Sequence, residues 1–416
     1  VKQVLVIGAG PAGATAARAL ARAGVTVRLL DRSKFPRNKP CGGGISLRVL
    51  PRFPYLEQAL GRIATHRVSR LYLEGPDGDS TIVHSRVPAA LMIRRVEFDA
   101  LLVSLAREAG AELIEGVDVV AAAQDASGVT VTARDGRLFT GAMAIAADGV
   151  HSVTARRLGL NAGWPDTAIA LDMMEESPRH TLRDVDPSTM WVAYGVNGGP
   201  GYGYIFPKRD HVNVGIGYVL NHYRREVDAH PYDVQRAFIG ELRRRGLVEG
   251  ESARANFTPF LIPVGGPLRR PGRGRVILAG DAGGFVNGFT AEGIYYAMVS
   301  GEHAANSVVD SCRSGIAGLA RRYQRAVDHE IGAELRDSVL IQRYLFADRR
   351  RIARVVAGAE RAPATTRLIL EFAVGGLSYR SLRRRVFAGA PLLAGRLLWE
   401  RLRTLMQPSA EAARTA

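Results

Sequence analysis

Three short stretches of the chain are apolar at every position, a fourth nearly so, and each runs into a turn rich in Gly or Asp. Val4-Leu5-Val6-Ile7 leads into Gly8-Ala9-Gly10, Val25 to Leu30 ends at Asp31, Met143 to Ala147 ends at Asp148-Gly149, and Val276 to Ala279 ends at Gly280-Asp281. Runs this short and this apolar read as strands covered on both faces, as in a parallel sheet. An Ala-rich helix is predicted to start near Pro11, where proline's fixed φ suits the first helical turn. The pattern changes between Thr189 and Leu220, where short strands alternate with Gly-rich turns and Val212, Val214, Ile216 and Tyr218 recur at period two. That period belongs to an antiparallel sheet with one buried face. Beyond about residue 326 the spacing is helical, with Pro363 and Gly375-Gly376 as expected breaks.

Length and composition bound the picture. A chain of 416 residues, 47% hydrophobic, has room for two domains around a large core. Cys41 and Cys312 are its two cysteines, too few for a disulfide framework, and the chain opens directly on a strand, so no secretory signal and a reducing cytoplasm are expected. The longest candidate for a membrane span, Val386 to Leu398, is interrupted by Pro391 and Arg396 and falls short of the ~18 residues required. The net charge of +16 is uneven: residues 343–416 hold 15 Arg against 5 Asp or Glu, a local balance of +10. Arg349-Arg350-Arg351 and Arg383-Arg384-Arg385 lie among apolar residues, and Leu392, Leu393, Leu397, Leu398, Leu402 and Leu405 follow at helical spacing. Such a tail suits either a helix on an anionic membrane surface at the inner face of the cell membrane or a helical cap with a solvated Arg face. No recognition motif accompanies the charge, so nucleic acid is not an expected partner.

The first strand and helix enclose Gly8-Ala9-Gly10-Pro11-Ala12-Gly13, a G-x-G-x-x-G turn that aims backbone N–H groups and a helix N-terminus at a pyrophosphate. Asp31, at the end of the second strand, is placed to accept ribose hydroxyls, and its charge disfavours a 2′-phosphate there. Alone, this turn also fits an NAD site or a structural bend. The second loop, Gly280-Asp281-Ala282-Gly283-Gly284, lies some 270 residues later, and one nucleotide held from both ends of the chain points to FAD. A second complete G-x-G-x-x-G is missing, so an electron donor (NADPH, NADH or a ferredoxin-type carrier) is expected to bind transiently.

In this order the loops resemble flavoproteins of the p-hydroxybenzoate hydroxylase type. That resemblance implies that Asp281 binds the ribityl chain, that the following helix aims its N-terminus at the flavin ring, and that Asp148-Gly149 sits near the pyrophosphate. Further along, Lys39-x-Cys41-Gly42-Gly43-Gly44 and Tyr202-Gly203-Tyr204-Ile205-Phe206-Pro207-Lys208 resemble two elements of the geranylgeranyl reductase family, with Tyr204 where that family usually has Trp. Arg95-x-x-Phe98-Asp99 and Ile262-Pro263-Val264-Gly265-Gly266 extend the match over residues 1 to about 325. One departure is Gly288-Phe289-Thr290-Ala291-Glu292-Gly293-Ile294, where the family commonly has Pro-x-x-Gly-Glu-Gly-Ile.

The resemblance implies an α/β fold: a Rossmann-like FAD-binding domain in three segments (1–60, 90–160, 268–325), an inserted antiparallel-sheet substrate domain (61–89 and 161–267) and a C-terminal helical region (326–416). Its implied cofactor contacts are Gly8, Gly10, Ala12, Gly13, Asp31, Arg32, Lys39, Cys41, Gly42, Gly43, Gly44, Arg95, Asp148, Gly149, Gly280, Asp281, Gly293 and Ile294. Tyr202, Tyr204, Phe206 and Pro207 are the expected substrate wall. The first three share one face of a strand, which suits an isoprenoid pocket. Cys41 is the candidate catalytic residue, with simple packing as its alternative role. The implied activity is FAD-dependent saturation of C=C bonds in a polyprenyl chain. A flavin-dependent monooxygenase or halogenase acting on a small aromatic or apolar substrate, and a non-catalytic flavoprotein, are the other readings. The proton donor is not legible in these motifs, and no metal site is expected.

Overall fold

The computed structural model describes residues 3–361 except 86, 87, 89 and 228, followed by 368, 369, 371, 372, 375–386 and 388. Its central sheet has six strands in the order Gly272–Arg273, Val276–Leu278, Met143–Ala146, Val4–Ile7, Val27–Asp31, Glu112–Glu115. All neighbours pair in parallel except the short edge strand 272–273, which is antiparallel. The four apolar stretches therefore lie side by side, with Val4 opposite both Val27 and Met143.

Both faces of this sheet are covered, which is why its strands are apolar at consecutive positions. Val4 and Val6 face the helices Pro11–Arg22, Arg95–Glu108 and Ile294–Ser314, in a core with Leu20, Phe98 and Val299. Leu5 and Ile7 point the other way, against Val129, Val131 and Phe139 of a three-stranded antiparallel meander. The helices approach closely: a Cβ on Gly301 would lie 2.2 Å from the Ala12 carbonyl oxygen.

A second sheet of seven strands runs Phe257–Ile262, Ala170–Pro178, His211–Val219, Gly201–Pro207, Thr189–Tyr194, Arg70–Glu74, Ser80–His84. It is antiparallel except between 189–194 and 70–74. Val212, Val214, Ile216 and Tyr218 are buried on one face with Phe238, Ile239 and Leu242 of the helix Pro231–Arg244, as their period-two spacing predicts. The opposite face looks toward the nucleotide loops. Segment 61–89 is divided: Thr65–Val68 pairs with Ala90–Ile93, which also pairs with Gly44–Ser46, while 70–74 and 80–84 join the large sheet.

Helices Leu319–Val327, Ala333–Phe346 and Arg349–Arg361 follow. A buried ion-pair network fastens the second of them to the Cys41 side of the molecule. Arg48 donates to both carboxylate oxygens of Glu334 at 3.0 and 2.9 Å, and Tyr296 also donates to Glu334. Among the described residues no helix is long and apolar enough to cross a membrane. Pro363 and the leucines from Leu392 to Leu405 lie outside the described residues, as does most of the Val386 to Leu398 stretch.

Candidate functional site

The site starts from the Gly8 to Gly13 turn. Gly8 has φ +93°, and a Cβ there would meet the Ala147 carbonyl oxygen at 2.3 Å; on Gly13 it would meet the Gly8 carbonyl oxygen at 1.8 Å. These two glycines let strand, turn and helix close on one another. Gly10 differs, because its Cβ position is open except for Arg37 Nη2 at 3.7 Å. The Gly280 turn reaches the same place from the other end of the chain: a Cβ on Gly280 would lie 3.0 Å from Ala12 Cβ. Two loops some 270 residues apart thus form one cradle.

Asp31 accepts the Ala9 N–H at 2.7 Å and the Ser33 N–H at 2.8 Å, one on each carboxylate oxygen, leaving further lone pairs for ribose hydroxyls. Arg32, next in sequence, is exposed. The Asp148 carboxylate is engaged elsewhere: it accepts Ser152 Oγ at 2.5 Å and the Thr154 N–H at 3.0 Å, organising the start of the short helix Val153–Arg157. Its backbone packs under Gly8, while its side chain serves the helix. Gly149 takes φ +81°. Asp281 accepts no side-chain hydrogen bond from a described residue and lies 3.6 Å from the Cβ position of Gly293, the N-cap of the 21-residue helix beginning at Ile294. A free carboxylate beside a helix N-terminus and above the cradle suits a ribityl hydroxyl.

Arg37 was not singled out from the sequence. Its Nη2 lies 3.1 Å from Asp99, while its Nη1 is buried without a hydrogen-bond partner among the described residues. Arg95 donates to both oxygens of the same Asp99 at 2.7 and 2.8 Å. Burial opposes the Arg95 charge, but Asp99 and the neighbouring Cys41 outweigh it and raise the guanidinium above its ordinary pKa. An orphaned guanidinium N–H beside the open Gly10 fits a pyrophosphate oxygen. The residues of this cradle fit an FAD: Gly8, Gly10, Gly13 and Arg37 could hold its phosphates, Asp31 its ribose and Asp281 its ribityl chain.

The Cys41 loop is pressed between the seven-stranded sheet and the small three-stranded sheet of Gly44–Ser46, Ala90–Ile93 and Thr65–Val68. Gly43 has φ +71°, and a Cβ there would meet the Ile93 carbonyl oxygen at 2.1 Å and Lys208 Nζ at 2.9 Å. Cys41 Sγ accepts the Gly43 N–H at 3.4 Å, and the Cys41 carbonyl accepts Asn213 Nδ2 at 3.2 Å. Behind the loop the buried Lys208 pairs with Glu176, which also accepts Arg94 Nε at 2.9 Å.

On the facing sheet Tyr202, Tyr204 and Phe206 do share a face: ring centroids lie 6.0 Å apart for the first pair and 4.4 Å for the second. Gly42 rests on it, with a Cβ position 2.9 Å from the Phe206 ring. Pro207 does not join them. By strand alternation it occupies the opposite pleat, and Lys208 returns to the loop side. Gly215 and Gly217 hollow the neighbouring strand: a Cβ on Gly215 would collide with the Tyr204 ring at 2.4 Å, and on Gly217 it would lie 3.6 Å from Asp172 Oδ1.

Asp172 is the residue that the sequence reading missed. It is buried, and Tyr204 Oη donates to it at 3.2 Å. Burial pushes its carboxyl up to about 7, against the Tyr204 hydrogen bond and the Lys39 charge. Lys39, whose ammonium sits 2.9 Å from the centroid of the Phe260 ring, is brought down to about 7 by burial and the nearby Arg95 charge. Phe260 is the cross-strand partner of Asp172. The available signal was a lone carboxylate inside the apolar run Ile169 to Met174.

A narrow cavity opens between this sheet and the turn after Asp281, lined by Asp172, Tyr202, Gly217, Phe289, Ala291 and Phe346 among others. Phe289 stacks on Tyr194 at 5.0 Å. Ala291 takes φ +55°, so the chain keeps a glycine-like backbone where the related motif has Gly. Glu292 ties this turn to the Cys41 loop by accepting the Ser46 N–H at 3.0 Å.

The FAD binding domain family matches residues 2–306. The chain is 32% identical to menaquinone reductase of Mycobacterium tuberculosis, over 77% of this chain and 80% of that protein. It is 30% identical to digeranylgeranylglycerophospholipid reductase 2 of Methanothermobacter thermautotrophicus, over 82% and 87%. In fold it is similar to a geranylgeranyl bacteriochlorophyll reductase-like protein of Thermoplasma acidophilum (TM-score 0.75, 20% identity, 95% of this chain and 98% of that one). A flavin-dependent brominase is nearly as similar in fold (TM-score 0.73, 16% identity, 95% and 99%), so the fold does not choose the reaction.

Proposed function

The chain belongs to the geranylgeranyl reductase family of FAD-dependent oxidoreductases, and from that premise we propose that it saturates C=C bonds of a polyprenyl, geranylgeranyl-type substrate by hydride transfer from reduced flavin. The observation that carries this reading is the glycine loop at Cys41 packed on the Tyr204–Phe206 face, next to a cavity whose lining is apolar apart from a few groups. Bound FAD supplies the two-electron reductant. This chain's residues do the rest: Arg37, Asp31 and Asp281 hold the cofactor, Tyr202 and Phe289 flank the substrate channel, and Cys41 borders the reacting region. An isolated alkene accepts hydride poorly, so positioning in a water-poor channel is the protein's main contribution.

Oxygen or halogen transfer on the same fold is the competing chemistry. The aromatic pair of that alternative is absent, since Tyr202 and Tyr204 stand where halogenase-type elements carry Trp, and the Cys41 loop favours reduction. The test is product mass after anaerobic turnover with a polyprenyl substrate. A gain of two hydrogens per double bond supports reduction; added oxygen or halogen under aerobic conditions, without hydrogenation, transfers the assignment.

We also propose that a nicotinamide or ferredoxin-type donor reduces the flavin transiently, and that the Arg-rich segment 343–416 collects substrate from an anionic membrane surface.

A further inference from the structure

We infer that Asp172 is the general acid of the reaction: its carboxyl delivers the proton to the second alkene carbon, positioned by the Tyr204 hydroxyl. The inference deepens the proposed reductase reading and rests on it.

Three observations converge. Asp172 is the one ionisable acid or base among the described residues lining the cavity, apart from tyrosine hydroxyls, and it sits beside Tyr202 and Gly217 where an apolar chain would run. The sheet is hollowed for it, because Gly217 leaves its flank open and Gly215 lets the Tyr204 ring lie flat enough to reach the carboxyl at 3.2 Å. Lys39 is the cation whose charge acts on it, and burial outweighs that charge. The strand 257–262 presents the Phe260 ring, the strand 201–207 the Tyr202 and Tyr204 hydroxyls, the turn after Asp281 the Phe289 and Ala291 side chains, and the helix 333–346 the neutral Gln342. Both tyrosines are pushed well above their ordinary pKa by burial and stay neutral. Lys39 faces it from the glycine loop, and Lys39 itself is brought to about 7. A carboxyl at about 7 is neutral often enough to donate at physiological pH, which is where general acid catalysis works best.

The step balances. As the π bond breaks, one carbon would take the hydride, with its two electrons, that bound reduced FAD would supply, and the other would take the proton leaving Asp172. The resulting carboxylate is neutralised by the Lys39 ammonium and regains its proton from Lys39 or solvent.

The test uses the FAD-loaded protein reduced with dithionite without oxygen, then mixed with a geranylgeranyl substrate in single turnover. Asp172→Asn is expected to bind FAD and accept electrons as wild type does, but to hydrogenate about 10²- to 10⁴-fold more slowly, the usual span for loss of a general acid. The wild-type rate falls above about pH 7, the Asn variant loses that limb, and Asp172→Glu recovers part of the rate. An Asn variant within threefold of wild type, with the same pH limb, overturns the inference. Infrared difference spectra provide a readout independent of turnover: a protonated carboxyl band at neutral pH, absent from Asp172→Asn, is expected. Lack of that band overturns the inference whatever the reaction. The band together with no hydrogenated product from wild type overturns the reductase reading while leaving Asp172 a neutral acid.

Discussion

Gly43 and Ile93 meet through backbone alone, since a Cβ on Gly43 would lie 2.1 Å from the Ile93 carbonyl oxygen. The Ile93 N–H in turn donates to the Gly43 carbonyl at 2.9 Å. This contact fixes the height of the Cys41 loop above the small sheet, and therefore where the sulfur faces. Gly43→Ala combines a left-handed φ with a backbone collision, so it should cost about 2–4 kcal/mol and lower both thermal midpoint and FAD retention. Differential scanning fluorimetry with and without added FAD reads both; unchanged melting would mean the loop can move without cost.

Asp281→Ala and Arg37→Ala should each weaken FAD binding by about 1.5–3 kcal/mol, roughly 10- to 150-fold in Kd, because each removes a charge-assisted hydrogen bond. Arg37→Ala should leave folding nearly intact, as Asp99 keeps Arg95. FAD titration of stripped protein, followed by flavin fluorescence, measures the loss. Wild-type affinity in Arg37→Ala would assign its free Nη1 to something other than the pyrophosphate.

Cys41→Ala and Cys41→Ser should remain folded and flavinated but lose hydrogenation activity. The backbone contacts of Cys41 to Asn213 do not need the sulfur, whereas Sγ meets the Gly43 N–H and lies beside Arg95. Turnover equal to wild type in both variants would reduce Cys41 to a packing residue.

Stability should respond to pH through the two groups held near 7. Asp172 is raised from an ordinary carboxyl to about 7, so between about pH 4 and 7 the folded state binds more protons than the unfolded one and stability falls as pH rises, by up to about 1.4 kcal/mol per unit. Lys39 is lowered from 10.5 to about 7, so between about pH 7 and 10 the unfolded state binds more protons and stability rises. Urea midpoints across pH 4–10 should show a minimum near neutrality. Asp172→Asn should flatten the acid limb and leave the alkaline limb in place.

The Arg-rich tail gives a separate expectation. Sedimentation with anionic vesicles should exceed that with neutral ones, and about 1 kcal/mol per well-placed Arg should be weakened by salt. Equal binding to both vesicle types at low and high salt would contradict electrostatic docking.

Local order was legible wherever one strand, one turn or one period carries the information. Val4 to Ile7 had to be covered on both faces, Gly8 to Gly13 had to be a phosphate-type turn, and Tyr202, Tyr204 and Phe206 had to share a pleat, because strand alternation and glycine sterics act over a few residues. What only the tertiary structure decided is which loops meet. Gly280 touching Ala12, Arg37 leaning over Gly10, and the Asp148 carboxylate turning into a helix start all depend on contacts between segments far apart in the chain. Pro207, expected in the substrate wall, is sent to the other face by the pleat. Asp172 belongs wholly to the second category. Its sequence shows an acid in an apolar strand, but its proton affinity depends on burial, on Tyr204 from the second strand along and on Lys39 from a loop 133 residues away, and desolvation is a property of the assembled interior that no local pattern carries.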